Sequence, residues 1–365
     1  MEKVLPIVDP VVSSFAHVGM TFAMFQTKED YYPWIINNYI QIYTLRNLPF
    51  FPERTGTLDY LYNEYGDWTM FHLSANPYLE YEKISFATLQ FIGGSKSISE
   101  ILIDGINNDK YICIPVDMYE LKIYGMYKTV HRVHHPFIVG YNIERGVFYA
   151  CDTFRNGKFT CEEIKFEDLT NAYNILLRLP IVASWSELGG ICFYKFYQKP
   201  WQKVNEQLYS VNCKMILNGM AQYLMLPGIN SSYATVDYYR YGIDCYEELL
   251  HWLNVGARSE ESFVDHRAFS AMRDHKRIMV FRLDYIRDKL KLINVENCLE
   301  SYKNIEKSMN LVVRKIIKGD MKKDIGQFKE CIEILNEVKA LEVEVLTKFI
   351  KNNLDQTSLQ KYFIQ

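Results

Sequence analysis

His131-Arg-Val-His134-His135-Pro136-Phe137-Ile-Val-Gly-Tyr141, followed after a short turn by Val147-Phe-Tyr-Ala-Cys-Asp152, is the stretch on which the reading of this chain turns. Phe137–Tyr141 and Val147–Cys151 have the length and the apolar, aromatic content of strands, and Asn142–Gly146 between them reads as a turn. Two strands joined so closely form an antiparallel hairpin. A histidine entering one strand and an aspartate leaving the other then fall side by side. That pair has a defined chemistry: the imidazole takes and returns a proton while the carboxylate fixes its tautomer and steadies the imidazolium. Side chains alternate along a strand, so His134 and His135 face opposite ways and only one can serve the pair. Cys151, beside Asp152, is expected to point away and pack.

Outward from this hairpin, Ser85–Ile92 and Tyr111–Val116 read as strands, and Ser97–Asn107 reads as a helix with Ile98, Ile101, Leu102 and Ile106 at helical spacing. Phe159–Ile164 and Cys192–Tyr197 complete a set of strands, and Glu167 and Asp168 favour a helix start that runs to about Leu177. Upstream, Phe15–Gln26 and Trp34–Leu45 are expected to be helices. Leu58–Tyr65 and Trp68–Leu73 are short apolar segments, with Pro49, Pro52 and Gly56 breaking the chain before them. From Trp201 onward the periodicity is helical: Trp201–Met225, Tyr246–Val255 and Asp265–Leu292. A final hairpin of two long helices follows, marked by Ile305, Met309, Val312 and Ile316, then by Phe328, Ile332, Leu335, Val338, Leu341, Val345 and Phe349. The expected fold class is α+β. An N-terminal domain with an antiparallel sheet spans residues 1–198, and an all-helical bundle spans 199–365.

Composition narrows the function classes. The 365 residues are 48% hydrophobic and 23% charged, the balance of a folded globular chain. Basic and acidic residues nearly cancel, 41 against 44, and no basic cluster of nucleic-acid-binding type stands out. The opening MEKVLPIVDP lacks the apolar core of a signal peptide, and no apolar run approaches ~18 residues. With the eight cysteines scattered and no CxxC pair among them, the expectation is a soluble cytoplasmic protein with reduced thiols that engages neither nucleic acid nor membrane. His131, His134 and His135 lack the carboxylate or cysteine spacing of a zinc site, so no metal is expected.

The run Ile112–Asp168 resembles the N-terminal domain of the butirosin biosynthesis protein H family, which is related in fold to papain-like, C39-type peptidases. The shared features are a strand ending in Pro115-Val116-Asp117, the Tyr119, Tyr124 and Tyr127 stretch, His135–Tyr141, an aspartate on the next strand, and the helix start Ile164–Ala172. The resemblance implies a papain-like domain that moves an acyl group from a carrier-protein thioester to a small-molecule amine in natural-product (antibiotic-type) biosynthesis. It carries His135 over as general base and Asp152 as its orienter, and places Tyr119, Tyr124 and Tyr141 beside the substrate. No cofactor is implied beyond a phosphopantetheine-borne acyl group arriving as substrate.

The chain departs from the pattern at the nucleophile. Such folds place a cysteine at the N-terminus of the first core helix, where the dipole lowers the thiol pKa. Here that region reads Val11-Val-Ser-Ser-Phe-Ala-His17, and the first cysteine is Cys113. Ser14, or Ser13, stands where the thiol would be, and either also suits an ordinary N-cap. Two readings stay open: an acyltransferase using His135 and Asp152, with Ser14 or by direct transfer, and a catalytically inactive papain-like pseudoenzyme that binds a carrier protein, pathway partner or small product. Self-association through the helical domain is also left open.

Overall fold

The computed structural model describes residues 1–45, 58–61, 73–74, 76–92, 97–154, 157–179, 190–197, 209–225, 239–258 and 263–354. In chain order the elements are β1 (Glu2–Val4), α1 (Ala16–Phe25), α2 (Tyr32–Asn37), β2 (Gln41–Leu45), β3 (Leu58–Leu61), β4 (Leu79–Ser85), α3 (Phe86–Ile92), α4 (Ile98–Asn107), β5 (Tyr111–Cys113), β6 (Val116–Asp117), β7 (Val133–His134), β8 (Phe137–Asn142), β9 (Val147–Thr153) and β10 (Phe159–Lys165). There follow α5 (Phe166–Leu176), β11 (Gly190–Phe196), α6 (Cys213–Met225), β12 (Tyr239–Tyr241), α7 (Cys245–Gly256), α8 (His266–Arg287), α9 (Val295–Lys322) and α10 (Ile325–Asn353). The architecture is α+β with antiparallel sheets and a predominantly helical C-terminal region. The chain divides into two compact units, residues 1–31 with 70–205, and 32–69 with 206–365. Segment 32–69, expected with the first domain, thus clusters with the second unit.

The first unit is built on a sheet in the order β10-β9-β8-β5-β11-β4. One edge of β8 is shared: β5 pairs with Phe137 and Ile138, and β1 with Gly140–Asn142. The β8–β9 hairpin closes through Gly146, whose φ of +63° is a conformation that favours glycine. The Asn142 side chain accepts the Arg145 N–H at 3.0 Å inside that turn. Helix α1 presents Val18, Phe22 and Phe25 to the core. It lies so near β10 that a Cβ on Gly19 would meet the Phe159 ring at 2.8 Å. Phe25, Tyr31, Tyr78 and Phe196 form an aromatic knot, Tyr31 stacking on Phe196 at 4.1 Å. Ser97 and Glu100 make a reciprocal capping box that starts α4.

Several expected elements change type. Trp34–Leu45 is a helix only to Asn37; Tyr39 turns left-handed (φ 57°), and Gln41–Leu45 pairs as a strand with β3 and β12. Of the expected strand Ser85–Ile92, Ser85 ends strand β4 and Phe86–Ile92 is helix α3. Tyr111–Val116 is broken at Ile114–Pro115 into β5 and β6, since proline has no N–H for a ladder. The second unit is therefore mostly helical but carries a three-stranded sheet, β12-β2-β3. The final turn lies at Lys323–Asp324, with Asp324 capping α10 through the Gly326 N–H. Residues 62–65 of the Leu58–Tyr65 segment, the Trp68–Leu73 segment (apart from Leu73) and residues 201–208 of the expected Trp201–Met225 helix lie outside the described residues.

In the second unit, α8, α9 and α10 run along one another around a wholly buried ion pair, Lys276 Nζ to Glu342 Oε1 at 2.7 Å. Tyr302 donates to Oε1 at 2.9 Å and Tyr246 to Oε2 at 2.7 Å. The lysine also donates to Tyr223 at 2.9 Å and meets His275 Nδ1 at 3.2 Å. A buried charge is tolerated only when its partners are supplied. From α8, Arg282 and His275 reach the backbone where α2 ends: Arg282 donates to the carbonyls of Ile36 and Asn38, and His275 Nε2 meets that of Ile40 at 2.9 Å. Lys276→Met strands the glutamate and is expected to cost about 3–5 kcal/mol. Tyr302→Phe, which removes one of several donors, is expected to cost about 1.5–3 kcal/mol. Urea unfolding of the two variants checks both the size and the order.

Candidate functional site

The carboxylate of Asp152, on β9, is fully enclosed, and its position is fixed by the β9–β10 ladder, in which it opposes Thr160. Burial of a carboxylate demands donors. Three arrive from separate segments. Tyr124 donates its hydroxyl to Oδ2, His134 Nδ1 meets the same oxygen at 2.6 Å, and the Thr153 N–H reaches Oδ1 at 2.6 Å. Burial first, and the Asp152 charge next, push the Tyr124 hydroxyl well above the usual phenol range, so it stays a donor. The Tyr124 ring lies 5.5 Å from the His134 ring and 5.2 Å from that of Phe154, closing the apolar side. His134 is 31% exposed against 0% for Asp152. The result is an imidazole anchored at Nδ1 by a buried carboxylate, on a side chain that stays partly exposed.

The imidazole on Asp152 is thus that of His134, and the assignment to His135 is corrected. That assignment came from the family resemblance, which treats His135–Tyr141 as one continuous run. The chain instead breaks at Pro136: His134 belongs to β7, which pairs with β6 through Val116, while β8 begins at Phe137. His135 lies in the kink between them, where its carbonyl accepts from the Cys113 thiol at 3.8 Å.

A second pair repeats the design. Asp117, fully buried on β6, meets His131 Nδ1 at 2.6 Å through Oδ2 and accepts the N–H groups of Tyr119 and Arg132 through Oδ1, each at 3.1 Å. His131 stacks on the Tyr119 ring at 4.2 Å, and Lys128 lies 4.6 Å from the same ring, paired with Glu120 at 2.7 Å. Neither the role of Asp117 nor that of Tyr124 as a carboxylate donor was read from the sequence. Asp117, just ahead of the turn Met118–Glu120, was a legible N-cap signal.

The remaining expected residues divide. Tyr119 and Tyr124 stand at the two carboxylates. Tyr141 is at the opposite end of β8, buried, with its hydroxyl on Asn107 at 2.7 Å, so its side chain serves packing against α4 rather than the His–Asp pair. Ser14 precedes α1, whose N-cap position is Phe15. The neighbouring Ser13 carbonyl accepts the Phe159 N–H at 2.9 Å, and Phe159 opposes Thr153 in the ladder. The start of α1 is thereby tied to the end of the sheet that carries Asp152. The Ser14 Oγ itself is enclosed. Among the described residues no group of three His, Cys, Asp or Glu is placed to hold a metal ion.

One cysteine expectation fails. Cys151 and Cys161 are direct partners across β9 and β10 and are joined in a disulfide, their Cα atoms 4.0 Å apart. Cys151 does face away from Asp152, as alternation requires, but it is bonded rather than merely packed. Among the described residues no helix is long and apolar enough to cross a membrane. Compared with protein-family models and with curated proteins, the chain matches none.

The Asp152 site makes a direct demand. Asp152→Asn turns an NH2 or a weaker acceptor toward two donors, and is expected to cost about 1–3 kcal/mol. Tyr124→Phe in the Asn background is expected to recover part of that loss, because one of the conflicting donors is gone. A double-mutant cycle by chemical denaturation measures the coupling.

Proposed function

We propose that the first unit is a papain-like scaffold that transfers an acyl group from a carrier-borne thioester directly to a small-molecule amine, with His134 as the base. The observation that carries this reading is the anchored imidazole: Nδ1 held by an enclosed carboxylate, on a side chain that remains partly exposed. The amine nitrogen attacks the thioester carbonyl, and His134 Nε2 takes the amine proton. The tetrahedral adduct then expels the thiolate, which receives that proton from the imidazolium. Asp152 and Tyr124 position the ring and balance its charge, while the fixed Nδ1–H keeps Nε2 as the acceptor. A thioester is already activated, so no protein nucleophile is needed, which fits a chain with no thiol at the start of α1 and an enclosed Ser14 Oγ.

The same absence favours a second reading, a scaffold that binds a carrier or a pathway partner without turnover. The two separate in one assay: acyl-phosphopantetheine thioesters with a panel of primary amines, amide product and intact protein mass read together. Direct transfer predicts amide formation without a protein adduct. It predicts a loss of about 10²- to 10⁴-fold in His134→Ala and little change in His135→Ala. An acyl adduct abolished by Ser14→Ala would replace direct transfer with a serine route. Neither product nor adduct would move the assignment to the binding reading.

A further inference from the structure

The sheet of the first unit brings a second pair of cysteines face to face. On β5 and β11, Cys113 is the direct antiparallel partner of Cys192, as Cys151 is of Cys161 on β9 and β10. Directly opposed residues project to the same face with Cα atoms about 4.5–5.5 Å apart. That spacing falls within the roughly 4.4–6.8 Å over which a disulfide closes without backbone movement. Both side chains are half-buried thiols. Cys113 Sγ donates to the His135 carbonyl at 3.8 Å, and Cys192 Sγ lies 3.9 Å from the Gly190 carbonyl and 3.6 Å from the Tyr81 hydroxyl. Tyr81, on the edge strand β4, stacks at 5.5 Å on Tyr194, which lies two residues along β11 from Cys192.

We propose that Cys113 and Cys192 are a redox-active dithiol that closes a second cross-strand disulfide when a low-molecular-weight disulfide such as oxidised glutathione is supplied. Cys192 attacks one sulfur of the glutathione disulfide; its S–H proton leaves with the expelled glutathione thiol, and a mixed disulfide forms on the protein. Cys113 then displaces the second glutathione and gives up its own proton to that leaving thiol. Two protein thiols are oxidised to one disulfide, and one glutathione disulfide is reduced to two thiols. Burial first, then the neighbouring Cys192 and Asp152, push the Cys113 thiol well above its ordinary value, so its attack depends on the proximity that direct pairing with Cys192 gives the second, intramolecular step. Closure removes the S–H that donates to the His135 carbonyl, the residue next to His134, so it reaches the segment that carries the imidazole.

The test uses the full chain, equilibrated in mixtures of reduced and oxidised glutathione, trapped by alkylation, and read by intact mass and non-reducing peptide mapping. The expected result is a species two hydrogens lighter than the Cys151–Cys161 form, with a cross-linked peptide pair containing Cys113 and Cys192 that disappears on reduction. Cys192→Ser is expected to lose that cross-link while keeping the Cys151–Cys161 one. The mapping on the wild-type chain stands without the variant. Cys113 and Cys192 alkylated as thiols throughout, or each carrying its own glutathione with no cross-link, would overturn the proposal.

Discussion

The buried carboxylate of Asp152 is the constraint around which the first unit's site is arranged. A charge removed from water must be met by donors, and here they come from places far apart in sequence: a tyrosine at 124, a histidine at 134 and the chain's own N–H at 153. Meeting that need pins the 118–134 connection to β9. Asp117 does the same at the other end of the connection, accepting Tyr119 and Arg132 N–H groups and holding His131. Two enclosed aspartates therefore clamp one surface stretch, and each presents an imidazole by its Nδ1. The placement of both imidazoles follows from satisfying buried charge, and their rings stay partly exposed.

The second unit is organised by the same rule with the signs reversed in importance. Lys276 and Glu342 are buried together, and tyrosine hydroxyls from three helices fill the lone pairs and protons left over. From the same helix, His275, which also meets Lys276, and Arg282 collect the carbonyls of residues 36, 38 and 40. Those carbonyls are freed where the left-handed Tyr39 ends α2. The network closes on itself and leaves no group pointing to solvent, which marks it as a device of stability and packing specificity, in contrast to the half-open Asp152 pair.

Much of this was legible in the residues where local signals agree. The β8–β9 hairpin follows from two apolar strands around Asn142–Gly146, α4 from Ile98, Ile101, Leu102 and Ile106 at helical spacing, and α9 and α10 from apolar residues every three or four positions. The failures occur where one residue changes the period. Tyr39 cuts a run of apolar residues that reads as a single helix, so Gln41–Leu45 becomes a strand. The chain breaks at Pro136, and the β6–β7 pairing ahead of it brings His134 to Asp152 rather than the His135 that the family resemblance named. Tyr124 as a carboxylate donor, and the two opposed cysteine pairs, depend on pairing between segments that are distant or whose register is set by the fold. Cys151 and Cys161 did carry a signal, being equidistant from residue 156 in a hairpin, but only a known register turns that symmetry into a bond.

The central claim is that His134 is held at Nδ1 by Asp152. Long-range 1H–15N NMR of the histidine rings, assigned with His134→Gln and His135→Gln variants, reads it directly. The account predicts a His134 ring protonated at Nδ1 with a strongly downfield ring proton, lost in Asp152→Asn, and no such signal from His135. A His134 ring in the Nε2–H tautomer, or a downfield proton that belongs to His135, would contradict it.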